Sequence, residues 1–219
     1  MSTDEGGVPG RRVRRTPEAA RALLLDVAEA RLGKLGLAGL KVADVAAEAG
    51  MSHGTLLHHF GSSDALRLQL AKRMAERLLD EVLAIERERP EAQAEMARFF
   101  EQLFRALAGG GHARLIAWLS LGESTDGHLD VLVGSTAERF EALMEVIASR
   151  AVGRDIEEAR REARYLVLLV VSSAIGLGVA RDVLFSELRL DASAELDYAR
   201  WLNGLIHERV DVLQTAAEE

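Results

Sequence analysis

Apolar residues recur every three or four positions through most of this chain, and that spacing strongly limits the folds open to it. Val42, Val45 and Ala46 show it in a short segment, and Leu66 to Val82 repeats it over a longer one. This period places the apolar side chains on one face of an α-helix. No segment alternates as a half-buried strand does, and only 3 prolines occur in 219 residues. The sequence therefore predicts an all-α fold of about nine helices.

Capping residues predict where the helices begin and end. Thr16-Pro17-Glu18 predicts the start of the first helix, and Gly36 its end. Gly50 ends a short second helix, Ser52 caps a third that runs to about residue 59, and Ser62 or Ser63 caps a fourth that runs to Pro90. Five further helices are expected near residues 91–108, 112–121, 129–151, 155–188 and 193–217.

The net charge of −8 argues, for the chain as a whole, against a nucleic-acid partner. The charge is uneven, however. Residues 1–73 hold 11 Lys/Arg and 8 Asp/Glu, whereas residues 74–219 hold 16 and 27. The basic end includes a cluster at Arg11, Arg12, Arg14 and Arg15, which is either a solvated arm or one that reaches phosphates or a minor groove. The two parts are expected to have different partners.

Residues 41–60 have the features of a helix-turn-helix. Small residues in the first helix allow the second to cross closely, and Gly50 tolerates the positive φ of the turn. Leu56 and Phe60 can anchor the second helix on the first. The exposed face then holds the residues predicted to contact base edges and phosphates, which are Ser52, His53, Gly54, Thr55 and His58.

The stretch from Leu40 to Leu66, LKVADVAAEAGMSHGTLLHHFGSSDAL, resembles the DNA-binding region of the TetR family of transcriptional regulators. The matching positions fall at fixed spacing in both helices and in the start of the next one. The resemblance implies an N-terminal three-helix DNA-binding domain at residues 16–62, after a basic arm at residues 1–15. It also implies a larger helical ligand-binding and dimerisation domain at residues 63–219.

Three positions depart from the family pattern. Lys41 replaces the usual threonine, Leu57 the usual tyrosine, and Ser63 the usual lysine. The resemblance implies that all three positions touch the DNA backbone, so the losses at 57 and 63 should weaken phosphate anchoring. Lys41, Arg14 and Arg15 are predicted to restore part of it.

Other classes of function have little support. The chain has no cysteine, which excludes thiolate zinc sites and cysteine nucleophiles. The histidines at 53, 58 and 59 lack metal-ligand spacing, so no metal site is predicted, and no catalytic constellation or phosphate loop is present. We expect no cofactor and no enzyme activity.

The resemblance implies a homodimer formed mainly by the last two helices. The uncharged segment from Tyr165 to Ala180 is apolar nearly all round, so a partner is expected to cover part of it. It is too short to span a membrane, and without a secretion signal the protein is expected to be cytoplasmic. The predicted interface residues are Leu166, Leu169, Ser173, Leu202 and Ile206. An intramolecular core without a dimer is the alternative.

Aromatic and sulfur-containing residues concentrate in the middle helices, where the resemblance implies a ligand pocket. The predicted lining residues are Phe100, Phe104, Trp118, Phe140 and Met144, which would suit an apolar or aromatic small molecule; the alternative is that they are core residues. Together these observations predict a repressor that a small effector releases from a palindromic DNA operator. The alternative is a dimeric ligand- or partner-binding module of the same fold with lost or altered DNA binding.

Overall fold

The computed structural model describes residues 16–88, 101, 104–108, 111–121, 127–149 and 155–215. In these ranges every regular element is helical, which confirms the all-α prediction. The elements are α1 (Pro17–Leu35), a 3-10 helix (Gly36–Leu40), α2 (Val42–Glu48), α3 (His53–Phe60), α4 (Ser63–Glu88), α5 (104–108), α6 (His112–Leu121), α7 (His128–Ala148), α8 (Ile156–Glu187) and α9 (Ala194–Thr215). Most of the helix predicted near residues 91–108 lies outside the described residues.

The helix ends lie where the capping residues predict them. Thr16 Oγ1 accepts a hydrogen bond from the Ala19 amide at 3.2 Å, and Gly36 ends α1 with φ 64°. Of the two serines before α4, Ser62 is the cap, since its Oγ accepts from the Ala65 amide at 3.0 Å. The 3-10 helix was not predicted, because its short apolar sequence has no helical period.

One apolar cluster joins the N-terminal helices. Leu24 of α1, Leu56 of α3 and Leu66 of α4 are fully buried in it. The same cluster contains Leu115 and Leu119 of α6, which are 1% and 0% exposed. The packing of the N-terminal helices therefore continues beyond residue 62, and the division of the chain at residues 62–63 stays a prediction.

Besides a small alanine cluster between α7 and α8, formed by Ala148, Ala159 and Ala163, the described C-terminal helices pack in two larger clusters. Leu79, Val82 and Leu83 of α4 meet Leu143 of α7. Close by, the Arg139 guanidinium donates to both carboxylate oxygens of Asp80, at 2.7 and 3.2 Å. The other cluster joins α5, α8 and α9 through Phe104, Leu107, Ala174, Leu177, Phe185, Ala199 and Leu202.

Much of the apolar surface of α8 remains exposed. An 18-residue window of the helix has a mean hydropathy of 1.9, and only 11% of that window is buried. By length and composition alone the helix could cross a membrane, but apolar helices of soluble proteins pass the same test. The exposed positions form one stripe, which we call the α8 stripe: Tyr165, Leu168, Leu169, Ser172, Gly176, Val179 and Val183.

Candidate DNA-binding surface

The helix-turn-helix forms because each half buries one face. Val45 and Ala46 of α2 are 0% and 1% exposed. Gly50 makes the turn with φ 68°, and the Met51 amide donates to the Ala46 carbonyl at 2.8 Å. A side chain at position 50 would be strained at that φ, although nothing lies within 4 Å of a Cβ added there. The turn therefore needs glycine for its backbone conformation rather than for space.

Ser52 fixes the first turn of α3. Its Oγ accepts from the Thr55 amide at 3.1 Å and lies 2.8 Å from Thr55 Oγ1. Ser52 is exposed and Thr55 is half-buried. The hydroxyls of both residues are thus partly engaged with each other. They stand at the helix N-terminus, where backbone amides favour anions such as phosphate.

The rest of α3 has one buried and one exposed face. Leu56 is fully buried and Phe60 is 8% exposed, with the Arg21 guanidinium 5.0 Å from the centre of the Phe60 ring. His53, Gly54 and His58 are exposed. The structure therefore brings the five predicted contact residues of α3 together at its N-terminal and outward surface, as the spacing indicated.

The positions that depart from the family pattern differ in exposure. Lys41 is exposed and is the N-cap residue of α2, without a side-chain capping bond. Leu57 is half-buried and packs against the N-terminal cluster. Ser63, the first residue of α4, is half-buried. Arg14 and Arg15 lie outside the described residues.

Most arginines of the described N-terminal helices are held by carboxylates. Arg31 contacts Asp44 and Glu48, Arg67 contacts Asp64, and Arg73 contacts Asp26. Within the described ranges, Lys41 has no ion pair, so its ammonium is available to a phosphate. Sequence reasoning missed the Arg31 contacts, although two carboxylates four residues apart on α2 were a signal for them.

The predicted ligand-lining residues lie in three different clusters. Phe104 is 1% exposed and packs with α8 and α9. Trp118 packs on the N-terminal cluster, with the Arg67 guanidinium 4.7 Å from its ring centre. Phe140 and Met144 are half-buried between α4 and α7. Phe100 lies outside the described residues, so the structure unites only Phe140 with Met144.

The predicted dimer residues also differ in exposure. Leu169 is 43% exposed and belongs to the α8 stripe. Leu166, Ser173 and Ile206 are half-buried, whereas Leu202 is 1% exposed and is a core residue of the single chain. On α9, Trp201 and Leu205 present the larger apolar surface, at 59% and 39% exposed. In the ranges described, no group of three or more His, Asp or Glu side chains could hold a metal ion.

Comparison with known proteins agrees with this geometry. Residues 24–70 match the family model of bacterial regulatory proteins, tetR family. The fold is similar to that of the fatty acid degradation regulator FadR from Bacillus halodurans, with 15% identity over 87% of this chain and 96% of that chain and a TM-score of 0.58. A transcriptional regulator from Rhodococcus sp. Rha1 shares 21% identity over 89% and 97% of the two chains, with a TM-score of 0.52.

A third similar structure is FadR from Bacillus subtilis in complex with stearoyl-CoA, with 16% identity, 83% and 96% coverage and a TM-score of 0.51. No curated protein sequence matches the chain. Identities this low establish likeness of fold alone. Residues 42–60 thus form a helix-turn-helix within the segment that matches this family model. More specifically, the family matched is that of the tetR regulators, and the described part of the chain is similar in its all-helical fold to the known regulators.

Proposed function

We propose that the protein is a homodimeric, non-enzymatic transcriptional repressor of the cytoplasm that a small apolar effector releases from a palindromic operator. The DNA-binding part of the proposal rests on one observation, which is that α3 has one buried and one exposed face. Leu56 and Phe60 hold the helix in the N-terminal cluster, while His53 and His58 point away from it as exposed side chains. A helix held in this way can enter a major groove.

The contact residues are given distinct roles. His53, Gly54 and His58 would face base edges, and Ser52 and Thr55 would approach phosphates at the helix N-terminus. Lys41 would contact a phosphate beside α2, and Arg14 and Arg15 would add contacts from the arm. A phosphate contact raises affinity for every sequence, whereas a base contact changes sequence preference.

Selection from random double-stranded DNA, followed by fluorescence anisotropy across a salt series, tests this proposal. A palindromic sequence should be enriched and should bind more tightly than its scrambled version. Lys41→Ala should weaken binding to both and lower the salt slope by about one per protomer. His53→Ala should change the enriched sequence. Equal affinity for the enriched and scrambled DNA would overturn the proposal.

The α8 stripe supports a second copy of this chain as the partner. It runs from Tyr165 to Val183, about 27 Å along the helix. Small residues at Ser172 and Gly176 lie near its middle, and nothing lies within 4 Å of a Cβ added at Gly176. Helices of two protomers could therefore approach closely there. An exposed apolar surface of this length is typical of a protein interface.

The oligomeric state is tested by adding charge to this surface. Leu168→Glu combined with Val183→Glu should convert a dimer into a monomer in sedimentation equilibrium. Val133 of α7 is 62% exposed, so Val133→Glu is the matched control and should leave the dimer intact. A monomeric wild-type protein would contradict the dimer. Wild-type binding to phosphatidylcholine vesicles through the α8 stripe would contradict it too, because the stripe would then contact a membrane and not a second copy of the chain.

The effector class rests on the apolar character of the middle helices. Phe140 and Met144 of α7 both pack against the apolar cluster that α4 and α7 share, and the Bacillus subtilis FadR structure holds stearoyl-CoA. Long-chain acyl-CoA is therefore the first class to test. Stearoyl-CoA should release the enriched DNA, while free coenzyme A should not. Release by neither would remove acyl-CoA from the proposal.

One observation favours the alternative, a ligand- or partner-binding module of the same fold. Leu57 packs against the N-terminal cluster and has no hydroxyl to offer a phosphate. Dimer formation and effector binding without any sequence-dependent DNA binding would support this alternative.

A further inference from the structure

Arg31 of α1 connects three separate parts of the N-terminal region. Its Nε donates to the Gly39 carbonyl at 2.7 Å. One terminal nitrogen donates to Glu48 at 2.7 Å and the other to Asp44 at 3.1 Å. The side chain is 16% exposed. A single guanidinium thus holds the 3-10 helix and both ends of the polar face of α2, and we call this arrangement the Arg31 clamp.

The Arg31 clamp contacts α2, a helix that depends on tertiary contacts for its position. α2 has 7 residues, and helices that short are not stable alone in water. Val42, Val45 and Ala46 bury one side of it. Asp44 and Glu48 are 48% and 46% exposed, so the Arg31 clamp is what fixes the other side.

The backbone around the clamp is packed closely. A Cβ added at Gly39 would lie 2.8 Å from the Arg31 carbonyl oxygen and 2.9 Å from Leu35 Cβ. The 3-10 helix therefore lies directly on the last turns of α1. Lys41, which is exposed, stands between this 3-10 helix and α2. Both elements that flank Lys41 are therefore tied to the same side chain.

We infer that Arg31 is a positioning residue for DNA binding: it sets the place of α2, and through it the place of Lys41 and the support of α3. The inference rests on the proposed function. Arg31 makes no DNA contact itself, because its donors already face the carbonyl and the two carboxylates. Lysine would keep the charge but lose the planar fork that reaches three acceptors together.

Arg31→Lys tests the inference. Its affinity for the enriched palindrome should fall by about tenfold, equal to about 1.4 kcal/mol, while its salt slope should stay that of the wild type. In hydrogen exchange, the amides of residues 42–49 should lose protection while those of α8 keep it. Arg73→Lys is the matched control, because Arg73 also binds a carboxylate and a carbonyl of α1, at Asp26 and Ala22, and within the described ranges it forms no hydrogen bond or ion pair with α2.

The outcomes separate this inference from the proposed function. Failure of the wild type to bind any selected DNA overturns the proposed function. Wild-type affinity in Arg31→Lys, or an equal loss in Arg73→Lys, overturns the inference alone. A salt slope lowered by about one per protomer also overturns it, because that result is expected of a direct phosphate contact. Loss of protection throughout the chain would show a general loss of stability and overturn it as well.

Discussion

Gly178 of α8 lies against Ala113 of α6 so closely that a Cβ added to the glycine would stand 2.5 Å from the Ala113 Cβ and 2.6 Å from the Ala108 carbonyl oxygen. Beside this contact, Arg114 Nε donates to the Gly178 carbonyl at 3.3 Å. Two residues before Ala113, Gly111 meets Leu32 of α1 with equally little room. The first turn of α6 is therefore enclosed between α8 and the end of α1.

Gly178→Ala should lower the free energy of unfolding because α6 and α8 would have to separate. Overpacking a close contact costs about 1–3 kcal/mol. Gly134→Ala is the control, since Gly134 is exposed in α7 and nothing lies within 4 Å of an added Cβ. That change should stabilise the protein by about 0.5–1 kcal/mol through the helix preference of alanine. Urea unfolding measures both, and a Gly178→Ala protein at least as stable as the wild type would contradict the close packing.

Local signals predicted the local features of this fold. Gly50 and Ser52 indicated the turn and the α3 cap because their roles depend on backbone φ and one hydroxyl. The three contacts of Arg31 and the burial of Leu202 were not predictable in this way. Both depend on which helices meet in space, and the apolar period of one helix does not indicate which other helices pack against it. The residues of the α8 stripe were only partly predicted. The apolar residues of α8 surround the helix, so its sequence does not indicate which face is buried and which is exposed.

Ser52→Ala should destabilise α3 by removing its cap. The Ser52 oxygen accepts from the Thr55 amide, and losing such a cap costs about 1 kcal/mol. Thermal unfolding should shift down by about 2–4 °C for a chain of this size. Ser52→Asn, which preserves a capping oxygen, should unfold near the wild-type temperature. Equal melting temperatures for wild type and Ser52→Ala would show that the cap contributes nothing.

We expect folding stability to depend on pH through His112. Burial lowers its pKa from the ordinary value of 6.5, and Glu29 opposes the shift by favouring the charged ring. Its Nδ1 is buried without a hydrogen-bond partner. Because burial in the folded state disfavours the protonated ring, the contribution of His112 to folding stability is complete above pH 6.5. The contribution is lost progressively as pH falls below that value.

Urea unfolding of wild type and His112→Gln between pH 8 and pH 5 measures this effect. The wild type should lose stability relative to His112→Gln as the pH falls, whatever the difference at pH 8. A constant difference between wild type and His112→Gln across this range would exclude His112 as the source.

Ser63→Lys should strengthen DNA binding by supplying the phosphate contact that the family pattern has at the start of α4. Ser62, not Ser63, caps the helix, so the substitution leaves the cap intact. Each added phosphate contact steepens the salt dependence by about 0.9 per protomer. Ser149→Lys makes the same charge change at an exposed position after α7 and should leave the slope unchanged. A phosphate contact at position 63 should tighten binding in Ser63→Lys but not in Ser149→Lys. If both variants bind more tightly to the same extent, the added net charge is responsible and not a contact at position 63.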